Sequence, residues 1–177
     1  MKLRTWFAIT TVILYTIHPM HRGYSLQAQS LSPSGSPLTI SLSVKADHFK
    51  AGLPIPVEMT ITNTGKAPVT LEVIAARHSE YYGYRFALTF DGKNVPKTSF
   101  HKALIREDGA TDPEVPYDAS SNTYTMKPGQ VEHIPIDVKQ LFLVTQPGLY
   151  VLSVEMQKNM DNRVPIHSQP LQLNIVP

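Results

Sequence analysis

Leu38, Ile40, Leu42 and Val44 alternate with Thr39, Ser41 and Ser43, and this two-residue period constrains the chain more than any other feature. Side chains on an extended strand point to opposite faces in turn, so such a segment buries one face and wets the other. The period returns at Val57, Met59 and Ile61, at Val69, Leu71 and Val73, and at Phe86, Leu88 and Phe90. It returns again at Ile134, Ile136 and Val138, at Tyr150, Leu152, Val154 and Met156, and at Leu171, Leu173 and Ile175. One wet face implies antiparallel sheets, since parallel sheets are usually covered on both sides. Two such sheets must cover each other's apolar faces.

Turn chemistry punctuates the strands. Lys50-Ala51-Gly52, Asn63-Thr64-Gly65-Lys66, Asp91-Gly92-Lys93-Asn94, Lys127-Pro128-Gly129-Gln130 and Gln146-Pro147-Gly148 fall between the alternating runs. Asn, Asp and Gly tolerate the positive φ angles that tight hairpins demand. A short strand is expected at Val95, and Pro135 marks an edge strand or a bulge. Lys139 to Val144 reads as one short turn of helix, and no helix of ten residues is expected. Polar Asn159, Asp161 and Asn162 form a loop before the last strand. The chain of 177 residues is 42% apolar, enough to bury a core, and its 15 prolines against 9 glycines suit short strands joined by turns.

The N-terminus reads as a secretory leader. Lys2 and Arg4 precede an apolar stretch from Trp6 to Ile17, which is signal-peptide length and shorter than the roughly 20 residues a bilayer needs. Small residues at Ala28 and Ser30 place the expected cut after one or the other. The expected organisation is a signal peptide over 1–30 and one domain over 31–177, secreted or periplasmic, with no membrane insertion after cleavage. Removing the leader takes Lys2, Arg4 and Arg22 and no acid, so 16 basic residues become 13 against 14 acids, a formal charge of −1. A nucleic-acid partner needs a basic stripe, and none is expected here. The absence of cysteine excludes thiol nucleophiles, thiolate zinc sites and lipid attachment through an N-terminal cysteine.

Lys97 to Ser121 shows no sustained period. It holds Asp108, Asp112, Glu114 and Asp118 with Gly109, Pro113 and Pro116. Loops of this length are uncommon in compact domains and are often functional or mobile. The acids match no EF-hand spacing and read as a solvated loop rather than a calcium site.

Three segments carry a resemblance. They are Ala51-Gly52 with Pro56 to Gly65, Phe86 to Lys93, and Lys127 to Gln130 followed by Ile136-Asp137-Val138 and Gln146 to Val151. Together they resemble bacterial immunoglobulin-like domains of the fibronectin-III or cadherin-like kind, and are similar to the non-catalytic domain that precedes the zinc domain of deuterolysin-like peptidases. The resemblance implies an all-β, antiparallel immunoglobulin-like β-sandwich of about seven or eight strands. The His-Glu-x-x-His of the peptidase is absent, so no catalytic or binding residue carries over. A lesser likeness is to small β-sandwich proteinase inhibitors, with no inhibitory loop motif to match.

Beyond the leader, His48, His78, His101, His133 and His167 show no local metal-ligand spacing, and read as exposed loop histidines. The Gly-x-Ser-x-Gly turn of serine hydrolases is missing. The chain is expected not to be an enzyme and to take no metal or cofactor. Arg77, Tyr81, Tyr82 and Tyr84 form the richest cluster, because tyrosine pairs an apolar face with a polar tip. Some of these rings could instead cap the core, as the alternation of Tyr82, Tyr84 and Phe86 allows. Phe100 and Tyr117 join the candidate binding set if their loop folds over that end. The expected role is a non-catalytic interaction module with a protein partner. A proteinase inhibitor and a hydrolase with a dispersed site are the alternatives.

Overall fold

A computed structural model of the chain describes residues 27–28, 36–75, 81, 83–112, 115, 120–156 and 165–177. Its strands in chain order are β1 (Gln27–Ala28), β2 (Leu38–Ser43), β3 (Phe49–Lys50), β4 (Pro56–Asn63), β5 (Val69–Ala75) and β6 (Tyr84–Phe90). They continue as β7 (Lys93–Asn94), β8 (Ser120–Met126), β9 (Val131–Asp137), β10 (Gly148–Met156), β11 (Ile166–His167) and β12 (Leu171–Val176). Among these twelve, β1, β3, β7 and β11 have two residues each, which leaves eight longer strands, in line with the alternation. Helical structure is limited to α1 (Ser99–Leu104), α2 (Val138–Leu141) and a 3-10 turn at Glu107–Gly109.

One sheet has the order β1-β2-β4-β9, a second β3-β12-β10-β6-β7 with β11 beside β10, and β5 pairs with β8. The pairings are antiparallel except for β3 against β12. Leu38, Ile40, Leu42, Met59 and Ile61 of the first sheet share one buried cluster with Leu88, Leu152, Val154 and Leu173 of the second. Each such side chain contributes roughly 1.5–3 kcal/mol on leaving water. Burial follows the alternation: β10 and β12 bury every second residue. Pro135 lies on β9, at the end of its sheet among the described residues, where a missing N–H costs least.

Local corrections follow from chemistry too short-ranged to show as a period. The stretch from 97 to 121 is not irregular throughout, because it carries α1 and the 3-10 turn. Thr98 caps α1 by accepting from the His101 N–H at 3.1 Å, and Phe100, Ala103 and Leu104 bury its inner face. Six residues are too few to display a helical repeat. The expected strand at Val95 is displaced to Lys93–Asn94, since Asp91 (φ 49°) and Gly92 (φ 72°) make the two-residue turn that pairs Phe90 with Lys93. The helical turn expected over Lys139–Val144 begins at Val138, where Asp137 caps the Lys139 N–H at 3.0 Å, and stops at Leu141. The Asn159–Asn162 loop lies outside the described residues. Gln27 and Ala28 pair with Ser43 and Leu42, so a cut after Ala28 or Ser30 would remove β1 from its sheet.

Asn63 is fully buried at the end of β4. Its Nδ2 donates to the carbonyls of Ala67 and Met126, each at 3.0 Å, and its Oδ1 accepts from the Gly65 N–H at 3.0 Å. Asn63→Ala is expected to cost about 2–4 kcal/mol, because it strands buried carbonyls. Asn63→Asp should be at least as damaging, since a carboxylate cannot donate to two carbonyls. Urea unfolding measures both; a loss below about 0.5 kcal/mol for either would remove this residue's special standing.

Candidate functional site

The β6 strand begins a cleft. The Asp91-Gly92 turn folds β7 back along only Thr89 and Phe90, and among the described residues the last main-chain bond on that side of β6 runs from the Val95 N–H to the Leu88 carbonyl at 2.9 Å. Pro96 follows. It has no N–H to give to a continuing ladder, and its fixed φ directs the chain elsewhere. The chain bridges instead to the segment after α2: the Pro96 carbonyl accepts from the Leu143 N–H at 2.9 Å and Lys97 pairs with Phe142.

Thr98 then locks α1 onto α2. Its N–H donates to the Leu141 carbonyl at 3.0 Å and its hydroxyl to the Gln140 carbonyl at 2.6 Å. The same two residues of α2 take two further bonds. The Tyr81 hydroxyl donates to Gln140 Oε1 at 3.1 Å, and His101 Nδ1 lies 3.1 Å from the Leu141 carbonyl. A carbonyl only accepts, so Nδ1 carries the proton and Nε2 is left as an acceptor. With α1 fixed this way, a depression of about 530 Å³ opens between it and β6, lined by Tyr84, Arg85, Phe86, Lys97, Leu104 and Ile105 among others. A neighbouring depression of about 590 Å³ shares Arg85, Phe86, Lys97 and Glu107 and extends to Ala87, Lys102, Glu155 and His167. Between them stands the Lys97–Glu107 pair, at 2.5 Å and about one-third exposed.

The candidate residues fall into separate places. Tyr81 and Phe100 are both 5% exposed, and they meet edge-to-face at 5.9 Å. Tyr81 also meets Phe86 at 5.9 Å, so Tyr81 and Phe100 support the cleft floor from inside the core. Tyr84 is half-buried beside Phe86 and lines the cleft. Burial, with the Glu132 carboxylate as a second cause, raises its phenol well above the usual range, so it stays protonated and can donate. Arg77, Tyr82 and Tyr117 lie outside the described residues. Arg85, Lys97, Lys102 and Ile105 were not singled out in the sequence, although the last three fall in the 97–121 stretch that it marks as a candidate contact surface. Arg85 stands next to the tyrosine cluster, and tertiary folding brings the others to the same cleft.

His101 is a correction. Rather than lying on an exposed loop, it is 1% exposed between Phe86 and Phe142, with ring centroids at 6.3 and 4.9 Å. His48, His133 and His167 are more than half exposed, as expected, and His78 lies outside the described residues. Among the described residues no three His, Asp or Glu side chains gather as a metal site, and no helix is long and apolar enough to cross a membrane.

Comparisons with known proteins add little. No family model and no curated protein matches the chain. Solved structures similar to it include a β-glucosidase from Listeria innocua in complex with isofagomine, at 13% identity and a TM-score of 0.39, over 81% of this chain and 16% of that one. A mutant of that enzyme in complex with laminaribiose gives 12% identity and a TM-score of 0.38, over 82% and 16%. The chain thus spans about one-sixth of the length of these structures.

Burial lowers the His101 pKa to about 4 from an ordinary 6.5; the Leu141 hydrogen bond opposes that shift and nearby Lys97 adds to it. Between those values the unfolded chain binds a proton that the folded chain refuses, so stability falls as pH is lowered through this window. From pH 7.5 to 5 the expected loss is about 2 kcal/mol from this residue alone. Denaturant unfolding of the native protein and of His101→Phe tests it. The variant should lack that part of the pH dependence, and the Leu141 carbonyl keeps its bond from the Thr98 N–H. Identical pH slopes would rule His101 out as its source.

Proposed function

We propose that this chain is a secreted, non-catalytic interaction module of immunoglobulin-like β-sandwich type that binds a protein partner at the cleft between β6 and α1. The observation that carries the reading is the anchored wall. A segment inserted after β7 is fastened to α2 through Thr98 and His101, and so holds a concave surface open against a sheet edge. Pre-formed concave surfaces beside rigid sheets are common binding sites, and holding one open in advance lowers the ordering cost of association.

Strand order supports the immunoglobulin-like part. The sets β2-β4-β9 and β12-β10-β6 correspond in sequence order to the A-B-E and G-F-C strands of such a sandwich. The resemblance to the non-catalytic domain of deuterolysin-like peptidases agrees with that order. Secretion rests on the basic and apolar N-terminus. Expression with residues 1–30 in place should deliver the protein outside the cytoplasm, with a new N-terminus at Gln29 or Leu31 by mass spectrometry. A cytoplasmic product with an intact leader would refute secretion.

The binding reading is tested with the exported protein as bait in native envelope and culture fluid, against a bait carrying Arg85→Glu and Lys102→Glu. Both side chains are exposed, so the variant should fold, which circular dichroism checks. A partner held by the native bait and reduced at least about tenfold by the variant supports the cleft, since 1.4 kcal/mol suffices for that change. Equal capture would move the site elsewhere, and capture of nothing by either bait would defeat the interaction reading.

A further inference from the structure

Among the described residues, the β6 edge that faces the cleft is open beyond Leu88. In the two-residue hairpin, Phe90 and Lys93 exchange main-chain bonds, so Phe90 directs its N–H and C=O towards β7. Alternation then directs those of Leu88, Phe86 and Tyr84 the same way, and the Val95 bond to the Leu88 carbonyl agrees. Thr89, Ala87 and Arg85 bond instead to β10. Past Leu88 the chain has left with Pro96. The N–H and C=O of Tyr84 and Phe86 have no main-chain partner on that side among the described residues. Phe86 is 5% exposed and Leu88 1%, so these two present chiefly main chain to the cleft, beside the side chains of Tyr84 and Arg85.

We infer that the cleft takes an extended, acidic peptide segment of a partner protein as an added strand on β6. This rests on the interaction reading above and gives it a mode. An extended strand supplies N–H and C=O groups at the spacing that Tyr84 and Phe86 require, two residues apart or about 7 Å. Alternate side chains of the peptide would face Leu104 and the half-exposed Ile105 and should be apolar. The intervening ones would emerge on the outer face between Arg85 and Lys102. Neither cation forms an ion pair among the described residues: Glu155, opposite Arg85 on β10, pairs with His167 at 3.7 Å, and Glu107, which also feels Lys102, pairs with Lys97. An acid there is the favourable cross-strand neighbour. Two copies joined edge to edge would bring Arg85 towards Arg85, so a second copy of this chain fits poorly.

The test is selection of peptides from a random displayed library on the mature protein, followed by amide hydrogen exchange. Enriched peptides should alternate apolar and acidic residues and slow exchange at Tyr84 and Phe86. N-methylation of the peptide residues facing β6 should weaken binding at least tenfold, while methylation of their neighbours should leave it within about twofold. No enrichment, or protection confined to other amides, overturns strand addition. Concentration-dependent dimerisation that protects the same two amides overturns the choice of occupant. The two readings fail separately. A native partner that is captured but not displaced by the selected peptides defeats strand addition and leaves the interaction module standing. Peptides that bind as described, with no partner captured from the native environment, do the reverse.

Discussion

The amide of Asn63 holds together elements that the hydrophobic effect alone leaves unspecified. Apolar burial is non-directional; it requires the sheets to meet but does not fix where each strand stops. Asn63 does so with directional bonds. Its side chain reaches Ala67 in the turn before β5, Met126 at the end of β8 and Gly65 beside it. Its own N–H donates to the Gln130 carbonyl and its C=O accepts from the Gly129 N–H, so the β8–β9 turn is tied to the same point. A buried amide with both ends satisfied stabilises one register and penalises a slip, because a shift by one residue would break its bonds and turn Met59 and Ile61 towards water. The long strands on either side inherit their positions from it.

That constraint explains which parts of the fold were legible. Strands with one wet face announce themselves, because a period of two persists over six to nine residues in β2, β4 and β10. The turns are equally plain, since Asp91-Gly92 needs positive φ twice in succession. What stayed hidden is short or non-local. The parallel seat of Phe49 beside Ile175 depends on strands far apart in sequence. The α1 helix has a cap and a buried face but too few residues to establish a period. His101 looked like any loop histidine because nothing near it in sequence predicts Phe86 and Phe142 on either side.

The candidate site was legible in the same partial way. The tyrosine segment lies beside the cleft, and Phe100 does pack against Tyr81. The aromatic signal, however, marks the support of the cleft more than its surface. Buried rings fix the position of β6 and α1, whereas Arg85, Lys102 and Ile105 are what a partner would meet. Aromatic and aliphatic residues are conspicuous in a sequence even when they serve packing. An arginine or lysine on a strand or a short helix carries no mark until the chain is folded.

One residue, Pro96, links the edge and its wall. An unpaired edge invites unwanted pairing with other chains, and natural sheets blunt it with prolines, charges or a covering segment. Here the proline that ends pairing along β6 also sends the chain to Phe142 and Leu143, from where it returns as α1 to stand over the edge it abandoned. Arg85 and Lys102 add like charge around the opening. A neutral strand would gain nothing from these cations, whereas an acidic strand would. The devices that guard the edge against indiscriminate pairing are therefore the same ones that would select what enters it.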